Sequence, residues 1–261
     1  MGKLIEVHDL SIQFGGVKAV DNVSFSMEKG EVLGVIGPNG SGKTTLFNLL
    51  SGIYKPTSGT IILDGEHIEG LSADKVFQKG ISRTFQNGRL FGNMNVIENI
   101  LIGFEQVRNT TPLAALSFRK GKAALEKSVV SEAYDVMGIF GDLLTHQADK
   151  LAKDLPYADR RRLEICRAIA SNPKIVLLDE PSAGMDNMET EKLMNDLLKV
   201  KDSRPGLSFI VVEHDMGFIK GLVDHVMVLN YGRNIEYGSF DEVSRSDAVI
   251  AAYLGKEEKN A

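Results

Sequence analysis

Two periods alternate along the chain. Short apolar runs closed by Gly, Asp or Pro recur at both ends of the sequence: LIEVHDLSIQF (4–14), VSFSM (23–27), EVLGVIG (31–37), TIILDG (60–65), KIVLLDE (174–180), SFIVVEHD (208–215) and HVMVLNYG (225–232). Each predicts a strand. EVLGVIG and KIVLLDE are apolar without alternation, the pattern of a parallel sheet covered on both faces, whereas the N-terminal runs alternate, as in an antiparallel sheet with one wet face. Helical spacing appears in TTLFNLLSG (44–52), with Gly52 placed to cap it, and in METEKLMNDLLKV (188–200). From Asn87 to Arg162 strand signals vanish, and PLAALSFRKGKAALEKSVVSEAYDVMGIFGDLL reads as consecutive helices. FDEVSRSDAVIAAYLG near the C-terminus predicts one or two more. The pattern is that of an α/β core with an inserted helical lobe.

Composition narrows the class. Of 261 residues, 43% are hydrophobic and 25% charged, the balance of a globular protein. The net charge is −5 and Arg160-Arg161-Arg162 is the one cationic cluster, so the basic face of a nucleic-acid binder is absent and no nucleic-acid partner is expected. Cys166 is the single cysteine, which excludes an intrachain disulfide and reads as a small core residue. No apolar run reaches the ~18 residues of a membrane span, and MGKLIEVHDL carries charge where a signal peptide needs an apolar block.

GPNGSGKTT (37–45) fits G-x-x-x-x-G-K-[ST] and lies between a predicted strand and a predicted helix, the context in which that motif cradles phosphate. Gly37, Gly40 and Gly42 let the backbone of Gly37, Pro38, Asn39, Gly40, Ser41 and Gly42 wrap with its N–H groups turned inward. Lys43 reaches the β- and γ-phosphates, Thr44 offers a hydroxyl to Mg²⁺, and Thr45 continues the helix start. Downstream, IVLLDE puts Asp179 and Glu180 at a strand end. Alone they read as solvated turn carboxylates; beside a phosphate loop Asp179 can hold Mg²⁺ through its water shell and Glu180 can deprotonate an attacking water. His214 and Gln86 close two further predicted strands, and both can face the same edge of a parallel sheet. Phe14, read alone, is a core aromatic.

Phosphate loop, Gln86, helical insert, the segment before RLEICRAIA, Asp179-Glu180, SAGMD (182–186) and His214 follow one another in an order that resembles the nucleotide-binding subunit of ABC transporters over nearly the whole chain. The resemblance implies an α/β P-loop NTPase of ABC type: a mixed-sheet core with an antiparallel β subdomain and an inserted helical subdomain. In these terms residues 1–86 and 163–240 form the nucleotide-binding core, 87–162 the helical subdomain, and 241–261 a C-terminal helical tail. It implies ATP and Mg²⁺ as ligands, Phe14 stacked on adenine, Gln86 as both a metal contact and the hinge that senses the membrane partner, Asp186 in a loop at the dimer interface, and His214 as the γ-phosphate switch. Within the family, GISRTFQNGRLFGNMNVIENILIG, the long insert, RRRLEICRAIA and AVIAAYLG are most similar to the larger ATPase subunit of branched-chain amino-acid importers. Lipopolysaccharide-export ATPases share the YLG ending with a shorter insert, and a soluble ABC-type regulatory ATPase is the other alternative. The partners implied are two membrane permease subunits, a second ATPase chain (a different one, or a copy of this chain) and, indirectly, an extracytoplasmic solute-binding protein, with this chain peripheral on the cytoplasmic face.

One segment departs from the family. Its signature, Leu-Ser-Gly-Gly-Gln, is here Leu155-Pro156-Tyr157-Ala158-Asp159. Pro156 removes a hydroxyl and an N–H donor, and Tyr157 and Ala158 replace glycines that allow close backbone approach. The nucleotide site this segment completes is expected to be the weaker of two.

Overall fold

The computed structural model describes residues 2–84, 90–104 and 119–254. The chain forms two compact units, one of Met1–Arg83, Lys174–Pro181 and Pro205–Ala261, the other of Thr84–Pro173 and Ser182–Arg204.

The first unit holds two sheets. β1 (Lys3–Phe14), β2 (Val17–Glu28), β4 (Ser58–Leu63) and β5 (Glu66–His67) make an antiparallel sheet in the order β2-β1-β4-β5. Along β1 the buried residues Ile5 and Val7 give way to Leu10 and Ile12, a change of phase that would turn half the strand's apolar set to solvent in an unbroken ladder. The register shifts between Val7 and Leu10, with Asp9 at φ 47°, and both halves stay inward.

The second sheet runs β10 (Arg233–Gly238), β9 (His225–Asn230), β3 (Val32–Ile36), β8 (Ser208–Val212), β7 (Ile175–Asp179) and β6 (Ile81–Arg83). All neighbours are parallel except the β9–β10 hairpin. Every residue of β3, β7 and β8 is buried, as their unbroken apolar runs require. Helices α1 (Lys43–Leu50), α2 (Ala73–Lys79), α8 (Met216–Leu222), α9 (Phe240–Val243) and α10 (Asp247–Leu254) belong to this unit. Phe47 and Leu50 of α1 join Leu33, Val35, Ile61 and Met27 in its core. Because the strands run parallel, the residues that follow β3, β7 and β8 emerge at one edge.

The second unit is helical: α3 (Val96–Leu101), α4 (Arg119–Ile139), α5 (Asp142–Thr145), a 3-10 turn at Ala152–Asp154, α6 (Tyr157–Ala170) and α7 (Asn187–Ser203). α6 spans residue 163, where the sequence places the return to the core. The helix runs unbroken, and α6 and α7 group with the helical unit. Two of the three clustered arginines are buried in ion pairs: Arg161 pairs with Glu164, and Arg162 lies between Asp159 and Asp196, all five buried. Cys166 is buried beside them on α6, and burial pushes its thiol well above the ordinary value. Among the described residues no helix is long and apolar enough to cross a membrane.

Candidate nucleotide-binding site

β3 delivers the chain into the loop that precedes α1, and glycine is required at two points. Gly37 has φ 150° and a Cβ there would lie 2.1 Å from the Leu229 carbonyl oxygen; at Gly42, φ 107°, it would lie 2.4 Å from that of Ala19. The loop folds over Lys43, whose Nζ donates to the carbonyl oxygens of Gly37 at 2.7 Å and Pro38 at 3.0 Å. Burial pushes the Lys43 ammonium below its ordinary value, and the charges of Glu180 and Asp179 act against that shift. Ser41 Oγ is buried without a hydrogen-bond partner. A buried polar atom in that condition is relieved by an anion with oxygen acceptors, so the loop fits a phosphate.

Asn39 through Thr45, Ala19, Glu180 and His214 line one cavity of about 200 Å³ in the first unit.

Thr44 and Thr45 stand at the cavity's helix side, where α1 begins. Across it, Glu180 follows β7 with a left-handed backbone, φ 47°, and its N–H donates to the Val212 carbonyl oxygen at 2.9 Å. A non-glycine residue held there costs on the order of 1 kcal/mol or more and persists only where neighbours enforce it. Its Oε1 lies 3.1 Å from His214 Nε2, so the ends of β7 and β8 meet over the loop. Asp179, the last residue of β7, is buried, and its Oδ2 accepts from Arg83 Nη2 at 2.7 Å. Among the described residues no cluster of three His, Cys, Asp or Glu forms a metal cage. The Thr44 hydroxyl and Asp179 carboxylate are instead the sparse, hard oxygen donors that suit Mg²⁺ brought in with a phosphate.

Phe14 is 46% exposed at the end of β1, outside the core, with its ring edge-on to Tyr54 at 5.3 Å. Gln86 lies outside the described residues. In the helical unit, Pro156 takes the N-cap position of α6 without a side-chain capping bond. Tyr157 donates its hydroxyl to the Ala183 carbonyl oxygen at 2.7 Å, and Asp159 accepts from Arg162 and Gln147, each at 3.2 Å. Asp186 caps α7, accepting from the Glu189 N–H at 2.8 Å.

Sequence reasoning passed over Arg83. The available signal was a charged residue inside the otherwise uncharged strand GISRTF, which needs a buried partner.

The ABC transporter family model matches residues 20–183. The high-affinity branched-chain amino acid transport ATP-binding protein BraF of Pseudomonas aeruginosa is 39% identical over 257 residues, 97% of this chain and 98% of the relative. LivG of Escherichia coli, of the same description, is 39% identical over 260 residues, with 97% and 98% covered. Among solved structures, the ADP conformation of an ATP-binding cassette of an ABC transporter superposes with TM-score 0.84 at 31% identity, covering 98% of this chain and all of that one.

Proposed function

We propose a working cycle for this chain, which belongs to the ABC transporter family: as the ATP-hydrolysing subunit of a branched-chain amino-acid importer, it spends one phosphoryl bond per turnover at its own phosphate loop. The observation that carries the chemistry is the cavity in which loop, Glu180 and His214 face one another.

The loop N–H groups and the α1 N-terminus receive the β- and γ-phosphates, and Lys43 turns its protons from the Gly37 and Pro38 carbonyls to phosphate oxygens. Ser41 gains the acceptor it lacks. Thr44 and Asp179 would hold Mg²⁺, which offsets phosphate charge when bound. Glu180 takes a proton from water as the water oxygen bonds to the γ-phosphorus and the bridging oxygen leaves with ADP. His214, in contact with the Glu180 carboxylate, keeps it aimed and reports the γ-phosphate's presence. Phe14 supplies an exposed aromatic face for adenine.

Membrane permease subunits are the partners of an importer ATPase. In the finer reading there are two of them, engaged through the helical unit and Gln86, with a different ATPase chain completing the dimer, a solute-binding protein outside, and this chain peripheral on the cytoplasmic face. The altered segment Leu155–Asp159 supports a partner with an intact signature.

Glu180→Gln tests the chemistry in the assembled transporter. ATP binding is expected to persist while hydrolysis falls by roughly 10²- to 10⁴-fold. Hydrolysis within twofold of wild type would remove Glu180 from the role of base.

A further inference from the structure

Asp179 ends β7 with its carboxylate already engaged. The Arg83–Asp179 pair spans 2.7 Å with side chains only 6% and 5% exposed. Arg83 ends β6, the parallel neighbour of β7, where it stands in register with Leu177. The same guanidinium grips the last turn of α1: Nη1 donates to Asn48 Oδ1 at 2.7 Å and Ser51 Oγ at 3.2 Å, and its carbon lies 5.5 Å from the centre of the Phe47 ring. α1 begins at Lys43. One buried cation therefore ties the carboxylate to the far end of the helix whose near end is the phosphate loop.

Stability alone is a poor reason for such a pair, since apolar residues of like volume often serve as well or better. What a planar, five-donor guanidinium adds is fixed geometry toward several acceptors at once. It also lowers the negative charge that Asp179 presents to polyphosphate.

We propose that Arg83 is a positioning residue for nucleotide, holding the Asp179 carboxylate in a set orientation against α1 and screening it from the phosphates. This rests on the reading of Asp179 as the carboxylate that serves Mg²⁺. Screening matters most for nucleotide without metal, because Mg²⁺ supplies its own positive charge. Orientation matters for turnover whether or not charge is kept.

The experiment measures ATP affinity with Mg²⁺ and with EDTA, together with kcat, in the assembled transporter. Arg83→Gln is expected to weaken metal-free binding by about tenfold while binding with saturating Mg²⁺ changes by less than about threefold, raising the metal-free to metal-bound Kd ratio. Arg83→Lys keeps the charge and loses the fork, so it should restore the ratio but leave kcat about tenfold low. Asn48→Ala touches neither charge; it should keep the wild-type ratio and lower kcat by less than Arg83→Lys. An unchanged ratio in folded Arg83→Gln overturns the proposal. So does wild-type kcat in both Arg83→Lys and Asn48→Ala, which decides the matter if the Gln variant does not fold. Asp179→Asn separates the underlying reading: if it retains wild-type dependence of ATP binding on Mg²⁺, the assignment of Asp179 itself fails.

Discussion

Two helices begin at the segments that the family resemblance assigns to phosphate, and they begin differently. α1 opens on Gly42, with Ser41 Oγ unpartnered and Lys43 turned onto loop carbonyls it can release. α6 opens on Pro156, and its first turn is already occupied by its own chain. Tyr157 is bonded to Ala183, Arg161 lies 5.4 Å from the Tyr157 ring centre, and the Asp159 carboxylate is held by Arg162 and Gln147. A carboxylate in the first turn answers the helix dipole that an incoming phosphate would otherwise use. The difference teaches that a helix start becomes an anion site by leaving its donors unspent.

Lysine removal should therefore have unequal consequences in the complex with a second ATPase. Lys43→Ala is expected to abolish nearly all hydrolysis, and the matching change in the partner to leave much of it. Lost donors to a developing phosphoryl charge cost about 3 to 4 kcal/mol by analogy with oxyanion sites, on the order of 10²- to 10³-fold between the two sites. Equal losses in steady-state ATPase assays, or rapid hydrolysis by a homodimer, would erase the distinction.

A smaller effect sharpens the α1 side. Phe14→Ala should weaken ATP binding by about 1 to 3 kcal/mol, by analogy with base stacking on aromatics. Since Phe14 is 46% exposed, its melting temperature should hardly move. Calorimetry that finds normal affinity in a destabilised variant would make Phe14 a packing residue.

The smallest effect belongs to α6. Tyr157→Phe removes one hydroxyl bond and should cost about 0.5 to 1.5 kcal/mol of stability, with ATP affinity at the α1 loop unchanged. Denaturant titration and nucleotide binding on the same variant check both halves; a variant as stable as wild type would mean that the Ala183 contact does not hold the α6 start.

The sheets were legible where burial leaves a one-dimensional trace. β3, β7 and β8 are buried throughout and appear as apolar runs, while β10, of mostly intermediate burial, and the two-residue β5 carry no such period. α2 buries only Val76 and escaped for the same reason. In the site, the loop's spacing announced itself because glycine is forced at fixed positions. The Arg83–Asp179 pair did not, because residues 96 apart meet only through the parallel register of β6 and β7. The ion pairs of the arginine cluster stayed hidden for a related cause: charge in a sequence says nothing of burial until a partner such as Asp196 arrives from another helix.

Cys166 gives the molecule a practical property. Its thiol is buried in α6 and held protonated by that burial, so the thiolate that maleimides and spin labels attack is scarce at neutral pH. Cysteines introduced on the exposed surface can then carry fluorophores or spin labels in the otherwise natural sequence, without first removing the native thiol. The two compact units are thereby open to distance measurements through a turnover cycle.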